Sequence, residues 1–318
     1  MLNTTFPAMT DGEKIVVTGG TGYLGRALVE RLSQRGNQVT VLSRSARLPP
    51  ALAELPGVRG ASWDPTATGD WCAELEGARG VVNFAGRQAV GARYTERVKR
   101  DIRESRVRST EVLVEAMERA STRPRVFVCA SGVGYYGGRA EDHPPLDESA
   151  PPGEDFLARV CVDWEARARG AEPLGVRVVS TRFGTVMGRG DGPLAVMALP
   201  FKLLGGGQLG SGRHVFCWVH LLDAIAAIEL ALDDERVSGA VNVAAPNAVT
   251  FGEAAKLIGR ALHRPSWLPA PSFALRALFG EGAGPILTGQ RAVPAKLTAL
   301  GFKFRYPTLA EALAEAFA

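Results

Sequence analysis

The sequence predicts an α/β protein, a doubly wound parallel sheet with a smaller, mainly helical C-terminal lobe. Three observations carry this. Short apolar runs alternate with helical stretches up to about residue 185, the pattern of strands covered on both faces by crossover helices. The first run, within KIVVTGGTGYLG at 14–25, breaks into Gly19, Gly22 and Gly25. Beyond about residue 186 come glycine-rich and then mainly helical segments, broken by Pro265, Pro269, Pro271, Pro285 and Pro294.

The elements follow in order. Val16 and Val17 lead into the glycines, and Ala27, Leu28 and Leu32 give the next segment a helical apolar stripe. Gln38–Leu42 reads as a second strand, Val58–Trp63 as a third ending in Asp64-Pro65, and Gly80–Phe84 as a fourth running into Ala85-Gly86. A long helix through Tyr94–Ala120 is followed by a strand at Arg125–Ala130, a helix near Asp155–Arg169 and a strand at Gly175–Thr181. Gly205–Gly212 is expected to surround a short helix, Val215–His220 is apolar and aromatic, and Ala240–Ala244 returns one strand. Residues 13–185 then form the first domain, with 217–245 returning to it. The smaller lobe takes 186–216 and 246–318, and residues 1–12 read as a disordered lead-in.

Composition bounds the function. The 318 residues are 46% hydrophobic and 22% charged, a globular composition long enough for one large domain and a lobe. No run of about 18 apolar residues exists, so no membrane span is expected, and the first dozen residues do not resemble a secretory signal. Net charge is +4, with a basic stretch through Arg97, Lys99, Arg100, Arg103, Arg106 and Arg108. Glu96, Asp101 and Glu104 intervene, so it reads as a solvated helix face or as arginines serving an anionic cofactor. Without interleaved aromatics it does not point to nucleic acid. Cys72, Cys129, Cys161 and Cys217 are far apart and form no metal-ligand pair, as for reduced thiols in a cytoplasmic protein.

The three glycines suit a dinucleotide pyrophosphate. Gly19 can take the dihedrals of a tight turn, Gly22 lets backbone N–H groups approach the phosphates, and Gly25 lets the next helix sit close to the sheet. That helix presents its positive end to the anion. Gly19–Gly25, Asn83–Gly86, Ser131–Gly137 (SGVGYYG), Phe156–Glu165, Arg182–Gly190 and Gly210–Asp223 together resemble the extended short-chain dehydrogenase/reductase superfamily. The match is to its NAD-dependent epimerase-like branch, typified by the bacterial YfcH protein and the human epimerase family protein. The resemblance implies a Rossmann domain, a C-terminal substrate lobe, and a small-molecule substrate bound between them.

It also implies a cofactor site. Thr21, Tyr23 and Leu24 join the three glycines around the pyrophosphate, Asp64 lies near the adenine, and Phe84, Ala85 and Gly86 line the adenosine and pyrophosphate path. Asp101 and Arg106 match positions around the cofactor, and Val186 lies close to the nicotinamide. The second strand ends Leu42-Ser43-Arg44 with no acid until Glu54. An arginine there suits a 2′-phosphate where an acid would suit a free ribose, so Ser43 and Arg44 favour NADPH, unless Arg44 is a surface residue beside the adenine.

Reductases of the superfamily use a serine, a tyrosine and a lysine. Ser131 fits the serine; aligning the helix on Glu165 puts Leu157 at the tyrosine position and Cys161 at the lysine position. Neither can replace the usual pair. Tyr135 and Tyr136 remain as proton donors or as an aromatic wall, and Cys161 as an acid–base group or a core thiol. Arg213, His214 and His220 are substrate-pocket candidates, although His220 with Asp223 also suits a structural helix start. These residues imply an NADP(H)-binding oxidoreductase or epimerase-like enzyme acting on an unidentified carbonyl or hydroxyl compound. The alternative is a non-catalytic NADP(H) sensor that reports to a protein partner.

Overall fold

In a computed structural model, which describes residues 12–318, seven parallel strands form the central sheet. They are β1 (Lys14–Thr18), β2 (Gln38–Ser43), β3 (Val58–Ser62), β4 (Gly80–Asn83), β5 (Val126–Gly132), β6 (Arg177–Phe183) and a late strand at Gly239–Val243. Their order runs from β3 through β2, β1, β4, β5 and β6 to the late strand at the far edge. The order reverses at β1 and β4, the place where sheets of this kind bind ligands at the carboxyl ends of their strands.

Helix α1 (Tyr23–Gln34) covers one face, packed on the helix at Leu221–Asp233. The long helix at Glu96–Arg119 and the helix at Phe156–Arg169 cover the other. Local signals set their ends. Thr95 caps the long helix through Val98 N at 3.3 Å, and Asp155 caps the next through Ala158 N at 2.9 Å, each satisfying a donor that a helix start leaves free. The central strands β1, β4 and β5 are almost wholly apolar because both of their faces are buried.

A separate hydrophobic cluster forms where Phe201, Phe216, Ile258, Leu309 and Leu313 meet Trp218 from the returning segment 217–245. The helices at Phe251–Ala261 and Leu309–Phe317 both start with a capping box, Thr250 with Glu253 and Thr308 with Glu311. The glycine-rich segment differs from expectation: the short helix lies before it, at Pro193–Lys202, and 205–212 is irregular. Left-handed backbone at Gly210 and Gly212 breaks any helical run there. The proposed lead-in at 1–12 lies outside the described residues except for Gly12. No helix among the described residues is long and apolar enough to cross a membrane.

Candidate active site

The glycine turn sits at the carboxyl end of β1. Gly19 has φ of +66°, the left-handed region, and a side chain on it would also strike the Phe84 backbone at 2.9 Å. Gly22 N–H donates to Gly19 O at 3.0 Å, closing the turn. A Cβ on Gly25 would lie 2.2 Å from Gly19 O, so only glycine lets α1 approach this closely. Gly22 is the residue before α1, and no side chain caps that helix. Its first-turn N–H groups are left for a ligand.

Tyr23 contributes backbone here rather than a ring. Its ring packs into the loop at 188–192, where a Cβ on Gly192 would strike it at 2.4 Å. Its buried hydroxyl has no hydrogen-bond partner, and burial followed by the Asp191 and Glu315 charges pushes its pKa up to about 12. Arg26 pairs with Asp191 on the same loop. Leu24 packs against the core.

Thr18 pairs with Leu42 in the sheet register, so Ser43 and Arg44 follow directly beside the glycine turn. Arg44 is exposed and has no ion-pair partner among the described residues. The Ser43 hydroxyl donates to Ser45 O. Asp64, past the end of β3, accepts from Thr66 N at 2.8 Å and Thr66 Oγ1 at 2.6 Å. Those bonds, the hydroxyl's first, hold its carboxyl below the usual range.

Phe84, Ala85 and Gly86 are held by a buried polar chain. Asn83 Oδ1 accepts from Thr18 Oγ1 at 2.6 Å and from Ala85 N at 3.0 Å. Asn83 Nδ2 donates to Thr110 Oγ1 at 2.8 Å, and Trp164 Nε1 donates to the same oxygen at 2.9 Å. The loop leaving β4 is thereby fixed to β1 and to both helices on that face. Asp101 is engaged by Arg87. Val186 lies on the short strand Thr185–Met187, which pairs with Trp218–His220.

Ser131, at the end of β5, enters a second buried chain. Its hydroxyl donates to Glu165 Oε1 at 2.7 Å. Arg182 holds both oxygens of Glu165 at 2.8 Å, and both side chains are at most 4% exposed. Burial works against the Arg182 charge, but the hydrogen bonds and charge of Glu165 outweigh it and hold the guanidinium above its ordinary range. Arg182 also donates to the Tyr136 hydroxyl at 3.0 Å, which reaches Asn242 Oδ1 at 2.7 Å and Asp147 O at 3.0 Å.

Two proton-donor candidates are enclosed by this arrangement. Tyr136 is fully buried and its hydroxyl is committed to the fold. Cys161 is buried, and desolvation followed by the Glu165 charge pushes its pKa up to about 11, so it stays a protonated thiol. The Tyr135 ring stacks on Arg182, whose guanidinium carbon is 3.4 Å from the ring centre. That stack fixes the Tyr135 ring. Leu157 faces the turn after β5, where a Cβ on Gly134 would sit 3.7 Å from it.

In the second lobe, Arg213 pairs with Glu141 at 2.7 Å, and Ser211 donates to the same carboxylate at 2.7 Å. This ties the 210–213 loop to the loop after β5. His214 is 4% exposed and stacks on Phe251 at 5.2 Å, with neither ring nitrogen hydrogen-bonded; burial lowers its pKa. His220 offers nothing to a substrate. Its Nδ1 accepts from Leu222 N at 3.2 Å and its Nε2 meets Glu315 Oε2 at 3.0 Å. Asp223 instead accepts from Arg305 N at 2.7 Å and Tyr306 N at 3.0 Å. The described residues hold no cluster suited to a metal ion.

Glu165 and Arg182 end and begin two of the segments that carry the resemblance, but neither was given a role there beyond Glu165 aligning its helix. The available signal was an arginine late in the apolar run VRVVSTRF and a glutamate at an inward helical position.

Comparison with known proteins agrees with this geometry. The NAD dependent epimerase/dehydratase family model matches residues 15–244, and the model of a domain of unknown function, DUF1731, matches 270–316. The chain is 40% identical to the chloroplastic epimerase family protein SDR39U1 homolog of Arabidopsis thaliana, over 94% of this chain and 85% of that one. It is 37% identical to epimerase family protein YfhF of Bacillus subtilis, over 96% of this chain and 98% of that one. The crystal structure of human epimerase family protein SDR39U1 with NADPH superposes with a TM-score of 0.84 at 32% identity, over 96% of this chain and 99% of that one.

Proposed function

This chain belongs to the NAD dependent epimerase/dehydratase family, and we propose that within it the protein binds NADP(H) and acts as an oxidoreductase on a small carbonyl or hydroxyl compound. The observation that carries the reading is the uncapped start of α1 behind a turn that only glycine can form, with Ser43 and Arg44 beside it. The NADPH in the human relative supports the cofactor choice. When bound, the dihydronicotinamide supplies a hydride. The protein's residues do the rest. Backbone N–H groups at the start of α1, from Tyr23 to Gly25, hold the pyrophosphate, and Arg44 pairs its planar fork with the 2′-phosphate. Asp64, Phe84, Ala85 and Gly86 line the adenosine path, and Val186 borders the nicotinamide. Ser131, fixed on Glu165, orients the substrate oxygen.

Fluorescence titration with NADPH and NADH tests the cofactor assignment. NADPH binds more tightly, and Arg44→Ala weakens it by roughly tenfold to a hundredfold, the worth of a charge-assisted contact, with NADH affinity unchanged. Equal losses for both cofactors would remove Arg44 from the phosphate. NADPH consumption across a carbonyl panel then tests for turnover.

Leu157 and Cys161 favour a second reading, an NADP(H)-binding sensor without catalysis. It predicts tight NADPH binding, no turnover with any carbonyl, and a protein partner captured only when NADPH is present. A nucleotide-sugar epimerase fits less well, since loss of hydride from a carbinol carbon needs a base to take the hydroxyl proton, and those two positions do not provide one.

A further inference from the structure

One face of the molecule leaves large apolar side chains uncovered. Of those exposed among the described residues, all but Val90 and Leu222 fall in two segments, 193–204 and 267–278. Val196, Leu199 and Leu203, on and just after the helix at Pro193–Lys202, follow at the spacing of one helical face. Leu203 is 73% exposed, and the second segment adds Trp267 at 64% and Phe273 at 75%.

The backbone joins the two segments. Trp267 N and Leu268 N both donate to Gly206 O, at 3.0 and 3.2 Å, and Ala270 N donates to Gln208 O at 2.9 Å. Trp267 Nε1 donates to Leu204 O at 3.0 Å, so the indole is fixed by its polar edge while its ring stays in solvent. Phe273 and Leu278 follow on the helix at Ser272–Phe279, which buries none of its residues. Leu204 and His263 are the only non-glycine residues with left-handed backbone among the described residues, at φ of +63° and +53°. Each follows a helix end, where glycine is usual, and a leucine held this way costs energy that burial does not repay. An apolar surface of this extent marks a place where something docks.

The charge around it has one sign. Neither 193–210 nor 254–280 contains an aspartate or glutamate. Lys202 precedes Leu203, Arg264 stands just before Trp267, and Arg276 lies between Phe273 and Leu278. These three and Arg260 are exposed, and none meets a carboxylate among the described residues. Arg106 also lacks one, but it packs on Gly86 in the cofactor path.

We propose that this face docks on a membrane surface rich in anionic lipid. Charge selects the occupant. In a two-fold contact between copies, the cations would oppose one another. A protein partner would have to match each ring and each charge in shape. A bilayer interface takes up Trp, Phe and Leu without a fitted pocket, and its lipid phosphates attract the surrounding cations. No helix among the described residues can cross a membrane, so the contact is peripheral. This inference goes beyond the cofactor reading and stands without it.

The test is sedimentation with vesicles of phosphatidylcholine and phosphatidylglycerol at roughly two to one, against phosphatidylcholine alone. The protein sediments with the first and not with the second, and added salt releases it. Trp267 is the exposed tryptophan, the other four being buried, so lipids brominated on their acyl chains quench the wild type and not Trp267→Phe. Arg264→Gln with Arg276→Gln weakens vesicle binding by roughly tenfold to thirtyfold. Trp267→Ser with Phe273→Ser weakens it by roughly tenfold or more. Thermal midpoints within about 2 °C of the wild type show that the variants are folded; if the serine pair is not, the glutamine pair and the quenching decide. Failure to sediment with anionic vesicles, equal binding to neutral ones, or quenching that survives Trp267→Phe overturns the proposal. A dimer that the serine pair abolishes, without vesicle binding, would assign the face to a second copy instead. A monomer that ignores the vesicles would leave it to an acidic protein partner.

Discussion

The two ends of the cleft are built from different materials. The nucleotide end is main chain: a left-handed glycine, a helix brought within a side chain's width of its own turn, and an uncapped helix start. The reaction end is side chain: Ser131, Glu165, Arg182, Tyr136 and Asn242 hydrogen-bonded through the interior. A backbone site needs little from distant residues and offers the same N–H groups to any dinucleotide. A side-chain chain of this kind fixes a geometry, at the risk that loss of one member strands a buried charge.

Removing one member of the chain is the strongest way to break that contrast. Glu165→Ala leaves Arg182 buried and unpaired and is expected to cost about 3–5 kcal/mol of stability in denaturant unfolding, with NADPH affinity preserved in the folded fraction. A cost under about 1 kcal/mol would show that water or a neighbour readily replaces the carboxylate. The converse change is Gly25→Ala. Its Cβ would overlap Gly19 O, so stability falls by about 1–3 kcal/mol and NADPH affinity by roughly tenfold or more. An unchanged affinity would show that α1 can back away from the turn without losing the phosphate.

Acid distinguishes the lobes more gently. His214 and His220 both have pKa values lowered by burial, so the unfolded chain takes up protons first. Their contribution to stability is present above about 6.5, the unfolded value, and is lost as pH falls through the folded values. His214→Phe keeps the stack on Phe251 and is expected to flatten the fall of Tm with pH, leaving the His220 share. An unaltered slope would mean that burial does not lower the His214 pKa in the fold. The smallest effect is chemical: at neutral pH an alkylating reagent labels half-exposed Cys72 and spares Cys161, read by peptide mass spectrometry. Labelling of Cys161 first would mean that the reaction end opens to solvent.

The same contrast decides what the sequence makes legible. The glycine turn could be read because its requirements fall within a few consecutive residues and involve backbone alone. Ser43 and Arg44 could be read because β1 and β2 are joined by one helix, which places the end of β2 beside the turn. The hydroxyl of Tyr136 was not legible as a structural group, since its partners Arg182 and Asn242 lie 46 and 106 residues away. No spacing rule links such positions. Arg106 was visible as one of several arginines on a basic helix. Only packing shows that Lys99, Arg103 and Arg108 are neutralised and that Arg106 is not.

The packing of Tyr23 has a consequence for how the chain matures during synthesis. The segment that forms the glycine turn leaves the ribosome well before residues 188–192 and Glu315. The ring beside that turn is enclosed by Gly188 and Gly192 and feels the charge of Glu315, all made much later. A nascent chain therefore carries the turn while the Tyr23 ring is still uncovered. Closing that contact spans most of the sequence, a loop whose entropy must be overcome before the contact repays it. The binding turn is translated well before the segments that complete its packing.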